Sequence, residues 1–526
     1  MPRALTLTFP SLDEALVRRN TSAALFVAGL YVGLMAVVGF KYHTIGDYGV
    51  ETDFYVFISQ AGLILEGGFP IDGARGPVYF LLLAAVGLLT GDFFNAGMVI
   101  GLASAGAFLY FTFKLLSDLF REDSALVVTL LTAANPVFVQ HTYSSGTDMF
   151  FCALAAGTIY FCLRPERLGY GHLIVGGVLA GVAYLTRYNG VFILAGLLLG
   201  ILVFDRARPG KGGRLMGCAL VLAAFALTIT PWGIYCLREK GQFFYNMNYR
   251  NIAYGLYGEG AMDWDAFWGT RAEDFRSFAD VFLEDPVLFL KTMASNVYEH
   301  FVSDMRDLMG AHLGVLVLPG IVISVFKRPK SRQAAYFALN VALFAVLLTV
   351  FYNPRFSLFL VPVYALLAMR TLLWIGGVLP RGRRIAAVMI PVIAAALVIW
   401  TAAEAYRFNK ENISKGPTEI LVIADWFDRN VPPEYRGDVI VARKPHIAYY
   451  LDMEFKWLPD VGTYGELMAE LRKMDADYLY FSYIEAHWRP ELEFLLDAEQ
   501  KYPGLMPVLF MKNPKAVLYA VVEEPP

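Results

Sequence analysis

Long blocks of apolar side chains, as at residues 23–40, 334–351 and 385–402, recur along this chain of 526 residues. Each is about the length a helix needs to cross a hydrocarbon layer of about 30 Å. Composition points the same way. The chain is 57% hydrophobic and only 17% charged, against roughly 45–50% apolar and about 25% charged in soluble domains. The sequence therefore predicts an α-helical polytopic membrane protein. The net charge of -3 says little, because the placement of charge carries the information. The cysteines Cys152, Cys162, Cys218 and Cys236 all fall in apolar blocks. They read as small buried hydrophobes, not as a disulfide framework. Residues 1–22 are polar and contain Arg18 and Arg19 just before the first block, so no cleavable signal peptide is expected.

Candidate spans start near Ala23, Ala96, Ala125, Met149, Gly171, Tyr188, Leu215, Leu313, Ala334, Phe356 and Ile385, about eleven in all. Arg3, Arg18 and Arg19 place the N-terminus in the cytoplasm. The alternation then puts every compact basic loop on that side: Lys114 with Arg121, Arg164 with Arg167, the cluster Arg206, Arg208, Lys211 and Arg214, the cluster Lys327, Arg328, Lys330 and Arg332, and finally Arg381, Arg383 and Arg384. Residues 77–90 are the test case. Counting them as a span would make twelve and would place the basic loops outside, so they read as an interfacial or re-entrant helix. The expected domains are a membrane domain, 1–403, with outer loops at 41–95 and 237–311, and an extracytoplasmic domain at 404–526. In the latter, apolar stretches at 439–442, 478–483, 506–510 and 516–522 read as strands, with helical patterns at 418–429 and 464–474 between them. A small α/β domain follows. The expected location is the cell (inner or plasma) membrane.

The outer face holds the chemistry. Asp53 begins a segment in which Phe57, Ala61 and Ile64 recur at helical spacing, and Asp148 opens the fourth span. Each acid taken alone is explained as a helix cap. Capping does not explain why both lie at one face, and ionisable groups gathered where helices surface often bind ions or protons. Arg75, Arg187 and Arg355 surface at the same face. A boundary arginine is usually an anchor, but three on the side that positive-inside bias depletes point to a phosphate ligand. His141 near Asp148 reads equally as a packing residue. The tyrosine-rich stretch 243–257 reads first as interfacial anchoring and second as a wall of a sugar or lipid groove.

The pattern Asp53, Phe57, Ala61, Ile64, Leu65, Gly67 resembles the GT-C membrane glycosyltransferases, in particular the lipid A aminoarabinose transferases and the bacterial protein O-mannosyltransferase-like enzymes. Arg75-Gly76-Pro77-Val78-Tyr79 is similar to their basic-Pro-Pro-aliphatic-aromatic stretch, with Gly76 in place of one proline. Residues 143–148 resemble the second acid of that family at the mouth of the fourth span. Leu185-Thr186-Arg187 resembles a Leu-Thr-Lys motif with arginine for lysine, and Arg355-Phe356 with Pro362 resembles a late Arg-Tyr…Pro helix. The likeness runs from Asp47 to about Tyr450 and identifies a superfamily better than a substrate.

The resemblance implies an inverting glycosyltransferase that moves a sugar from a polyprenyl-phosphate donor to a glycan, lipid or protein acceptor outside the membrane. A lipid phosphate leaves readily once its charge is balanced, so a base and cations suffice. Asp53 is then the expected base, with Glu51 as the nearby alternative and Asp148 orienting the acceptor or Asp53. Arg75, Arg187 and Arg355, with Tyr55, form the expected substrate- and phosphate-binding set. A divalent ion, magnesium or manganese, shared by Asp53 and Asp148 is a further possibility of the class. Glu299, His300 and Asp304 could add a ligand, and otherwise read as ordinary solvated residues. Besides donor and acceptor the expected partners are membrane lipids; no nucleic acid is expected. The competing reading is a transporter or flippase of lipid-linked sugars. That class carries charged or broken helices near the bilayer midplane and inverted repeats, whereas here the span interiors are nearly uncharged and no repeat is apparent.

Overall fold

The computed structural model describes residues 12–120, 122–163, 170–204, 210–262, 264–327, 329–378 and 383–522. The loop residues Arg3, Arg121, Arg164, Arg167, Arg206, Arg208, Arg328 and Arg381 lie outside them. Each expected span is helical. Among the described residues, five helices are long and apolar enough to cross a membrane, or six if one bent pair counts as a single span. Shorter apolar helices, such as Thr147–Leu163 and Gly171–Thr186, fill the other expected positions. The segment Val78–Thr90 is a helix of 13 residues, roughly 20 Å long at about 1.5 Å per residue.

The first ten helices build the bundle around the site. They are α1 (Leu12–Tyr42), α2 (Thr52–Leu65), α3 (Val78–Thr90), α4 (Phe93–Leu119), α5 (Glu122–Ala133), α6 (Pro136–Tyr143), α7 (Thr147–Leu163), α8 (Gly171–Thr186), α9 (Val191–Phe204) and α10 (Gly210–Lys240). Helices α4 and α7 are buried along most of their length, whereas α1 turns Leu25, Phe26, Leu30 and Leu34 outward. Apolar side chains on the outside of a bundle are what a lipid solvent permits. The sharp bend of 65° between α5 and α6 has a local cause. Pro136 cannot continue the helical hydrogen bonding of α5, and Asn135 restarts it by accepting from Phe138 N at 3.0 Å. The freed Asn135 amide donates to Leu308 O at 2.6 Å, tying the bend to the segment Asp304–Leu308.

The last long helix, Arg383–Ser414, runs unbroken through the expected division at 403/404. The C-terminal sheet domain follows it, starting with the helix Thr418–Asn430. Its sheet has the order β2-β1-β3-β5-β4, with β1 Val439–Ala442, β2 Glu454–Trp457, β3 Tyr478–Ser482, β4 Leu505–Lys512 and β5 Lys515–Val521. Strands β1, β2 and β3 run parallel, and β5 and β4 close one side antiparallel. Alternation puts Val441, Leu479 and Val517 on one face, under Leu467, Leu471 and Leu492. Ile440, Tyr480 and Leu518 lie on the other, under Ile420, Phe427 and Ile447. Strand β2 was not expected from sequence. As an edge strand paired with β1 it reads Glu-Phe-Lys-Trp, with no apolar run to mark it.

Helices α8 and α10 meet at glycines: a Cβ on Gly177 would lie 2.5 Å from Val221 O and 2.8 Å from Ala224 Cβ. Gly177→Val is therefore expected to force these helices apart, costing about 1–3 kcal/mol. The check is the thermal midpoint of the detergent-solubilised protein, and an unchanged midpoint would contradict this packing.

Candidate functional site

Asp53 lies in the first turn of α2, after Glu51 at the N-cap. It is not a capping side chain; its carboxylate turns to the arginines instead. Asp53 Oδ2 accepts from Arg75 Nη2 at 2.7 Å and lies 3.9 Å from Arg355 Nη2. Arg75 also meets Asp72 at 3.5 Å, and its guanidinium lies over the Phe57 ring at 4.7 Å. Asp148, in the first turn of α7, accepts from Arg187, the residue that ends α8. Phe356 stands between two cations, with Arg355 and Arg187 at 5.1 and 5.7 Å from its ring.

Asp53, Asp148, Arg75, Arg187 and Arg355 line one small cleft together with Ser145 and Thr147. Its walls carry three guanidinium groups against two carboxylates, an excess of positive charge that suits an anion. The acids differ in access: the Asp53 side chain is 44% exposed and that of Asp148 is 11%. Gly76 has a steric reason. A Cβ there would lie 2.3 Å from Leu185 O, so glycine lets the Arg75 strand press against the end of α8 that carries Arg187.

Glu51 and Tyr55 are placed elsewhere. Glu51 is fully buried behind the cleft wall. Its Oε1 accepts from Ser145 N at 2.5 Å, and its Oε2 accepts from Asp47 N at 3.2 Å and meets His43 Nε2 at 2.8 Å. A carboxylate spent on these partners is a joint between two loops, not an accessible base. Tyr55 is buried against the C-terminal domain, its ring 4.0 Å from that of His446 and 5.5 Å from that of Tyr449. It reaches outward because its side chain leaves α2 on the face opposite the cleft.

His141 is buried close to Asp148 and Arg355. The acids of the segment 237–311 do not converge. Glu299 accepts from Ser295 at the surface, whereas Asp304 is fully buried and accepts from Tyr364 at 2.8 Å. Burial pushes the Asp304 carboxyl up to about 6. Among the described residues no three metal-binding side chains gather, and Asp53 and Asp148 are each neutralised by an arginine. This donor set does not fit a divalent cation. The tyrosine-rich stretch packs mainly on itself, with Tyr249, Tyr254 and Tyr257 against Phe267 and Phe275. Its start closes on the cleft rim, where Met247 N donates to Gly73 O at 2.7 Å and Asn248 donates to Ala74 O at 2.8 Å.

Beside the cleft lies a small apolar groove, lined by Phe151, Phe192, Ile193, Leu343, Leu347 and Phe359. The two are neighbours that share no lining residue: Phe151 lies 6.0 Å from the Arg187 guanidinium, and Phe359 shares the turn Pro354–Leu360 with Arg355. His43, Asp72 and the groove have no signature in the sequence. Only the charged motif residues were visible there.

With this geometry in place, comparisons with known proteins become informative. A family model described as dolichyl-phosphate-mannose-protein mannosyltransferase matches residues 74–235. No curated protein sequence matches the chain. Among solved structures, ArnT from Cupriavidus metallidurans superposes with a TM-score of 0.59 at 14% identity, covering 95% of this chain and 98% of its own. The same protein bound to undecaprenyl phosphate gives 0.54 at 14%, covering 93% and 97%. The oligosaccharyltransferase AglB from Archaeoglobus fulgidus, in complex with an inhibitory peptide and a dolichol-phosphate, gives 0.60 at 12%, covering 96% of this chain and 74% of that one. The architecture is that of the GT-C membrane glycosyltransferases, a bundle of apolar helices with a small C-terminal sheet domain.

The His43–Glu51 pair gives the loop joint a pH dependence. Burial disfavours the His43 cation, but the Glu51 charge outweighs it, so its pKa stands above the ordinary 6.5. A pKa raised on folding contributes stability that is complete below the unfolded value and is lost as pH rises through the folded one. The thermal midpoint is expected to fall as pH is raised from about 6 to about 9, and His43→Gln should flatten that slope. An identical slope in the variant would show that the pair contributes nothing.

Proposed function

We propose that this protein transfers a sugar from a polyprenyl-phosphate donor to an acceptor on the non-cytoplasmic side of the membrane, with inversion at the anomeric carbon. The observation that carries the reading is the juxtaposition of a cation-rich cleft and an apolar pocket, since one ligand with a phosphate head and a hydrocarbon tail has use for both. The lipid phosphates held by the ArnT and AglB structures are of this chemistry.

Arg187 and Arg355, with Arg75, hold the phosphate oxygens, and the polyprenyl chain follows Phe151 and Phe359 into the bundle. An acceptor hydroxyl attacks the anomeric carbon from the face opposite the phosphate. The C–O bond to phosphate breaks with its electron pair, and the guanidinium groups stabilise the phosphate charge that results. The hydroxyl proton passes to Asp53, the more accessible carboxylate. Asp148, held by Arg187, keeps that cation aimed and orients the acceptor.

Asp53→Asn is expected to lower turnover of a labelled polyprenyl-phosphate sugar about 10²–10⁴-fold with donor binding retained. Full turnover in this variant would remove Asp53 from the role of base. Arg355→Ala should weaken donor binding about tenfold or more, read by titration with the labelled lipid. Loss of turnover without loss of binding would instead assign Arg355 to charge stabilisation alone.

A further inference from the structure

The C-terminal domain carries a second constellation away from the cleft. Its parallel strands run in the order β2-β1-β3. The chain leaves β1 toward β2 on one side and returns past it to β3 on the other. The carboxyl ends of β1 and β3 are thus a topological switch point, where open α/β sheets bind ligands. Arg443 directly follows β1, Trp457 ends β2, and Trp488 ends the helix Tyr483–Trp488 that follows β3.

These three side chains meet. The Arg443 guanidinium lies 5.2 Å from the Trp488 ring centre and 5.9 Å from that of Trp457. Arg443 is only 6% exposed, yet the two indoles remain 49% and 45% exposed for Trp457 and Trp488. Tryptophan is highly buried on average, so two open indoles on either side of one buried cation need a reason. The support beneath is rigid: Glu485, itself buried, accepts from Arg443 N at 3.1 Å and from Ser482 N at 2.9 Å.

We infer that this end of the sheet is a glycan-binding subsite in which Trp457 and Trp488 stack on sugar rings and Arg443 fixes the indoles from behind. A sugar ring presents C–H groups on its flat faces and hydroxyls on its rim, so it needs apolar planes beside polar edges. Half-exposed indoles supply planes of that kind. Placement favours the acceptor as the glycan, a step that rests on the transferase reading of the cleft. His446 is three residues past Arg443, a span of at most about 11 Å. It touches Tyr48 and Tyr55 of the loop that carries Asp53. The subsite therefore belongs to a domain that touches the segment carrying Asp53, which gives its indoles a role beyond an interfacial aromatic belt.

The test uses the full-length protein in detergent, without donor. The probe is a fluorescently labelled pool of oligosaccharides released by mild acid from the envelope of the source cell, with phosphatidylglycerol vesicles as a second arm. Retention of oligosaccharide is expected for the wild type and should weaken about tenfold in Trp457→Ala and in Trp488→Ala. Trp488→Phe keeps a stacking plane and should retain most binding, which separates stacking from loss of fold. Three outcomes overturn the proposal: no retention by the wild type, equal retention by the alanine variants, or a loss confined to the vesicle arm. Because binding is read without donor, retention by a protein with no transfer activity would sink the transferase reading and leave the subsite standing.

Discussion

One buried carboxylate joins the two halves of the cleft. Glu51 precedes Asp53 by two residues in the chain, and it accepts from the backbone of Ser145, three residues before Asp148. Buried and removed from water, this carboxylate is stable only if its lone pairs are occupied. The Ser145 and Asp47 amides and the His43 ring meet that demand. The consequence is geometric: two acids from distant parts of the sequence are held in one wall because a third acid, out of reach of substrate, is satisfied only in that arrangement.

The cations are fixed by another means. Each guanidinium pairs with an acid or lies against an aromatic ring, with Arg75 on Phe57, Arg187 near Phe151, and both Arg187 and Arg355 on Phe356. Flat cations held on flat rings keep their N–H edges turned to the cleft, which is where a phosphate would need them. Gly76 completes the frame by letting the strand that carries Arg75 touch the end of α8. The position that departs from the family's basic-Pro-Pro pattern is therefore one where this packing leaves no room for a side chain.

The C-terminal domain is coupled to the same wall. Ile45 belongs to its core, Tyr55 packs on His446, and Tyr449 donates to Asp92, the cap of α4. The first loop is thus clamped from both sides, by the bundle through Glu51 and by the sheet domain through aromatic contacts. A domain docked on the segment that carries Asp53 gives the proposed glycan subsite a physical connection to the cleft.

The sequence alone determined the helices, because a hydrocarbon solvent demands long apolar runs and the runs are plain to read. It also determined four of the five strands, and it marked Asp53, Asp148, Arg75, Arg187 and Arg355, since charge at the end of an apolar run stands out. What it could not decide was which charged neighbour does what. Glu51 and Asp53 are two residues apart and both acidic, yet one is sealed under Ser145 and the other faces Arg75 and Arg355. Glu51 stands at the N-cap, outside the helical turn that carries Asp53, and only the packing of α2 against α3 and the C-terminal domain fixes which side is solvent. The His43 partner, the apolar groove and the Trp457–Arg443–Trp488 cluster were invisible for the same reason. Each is made by residues far apart in the chain, and pairing of that kind is decided by tertiary contact, not by local pattern.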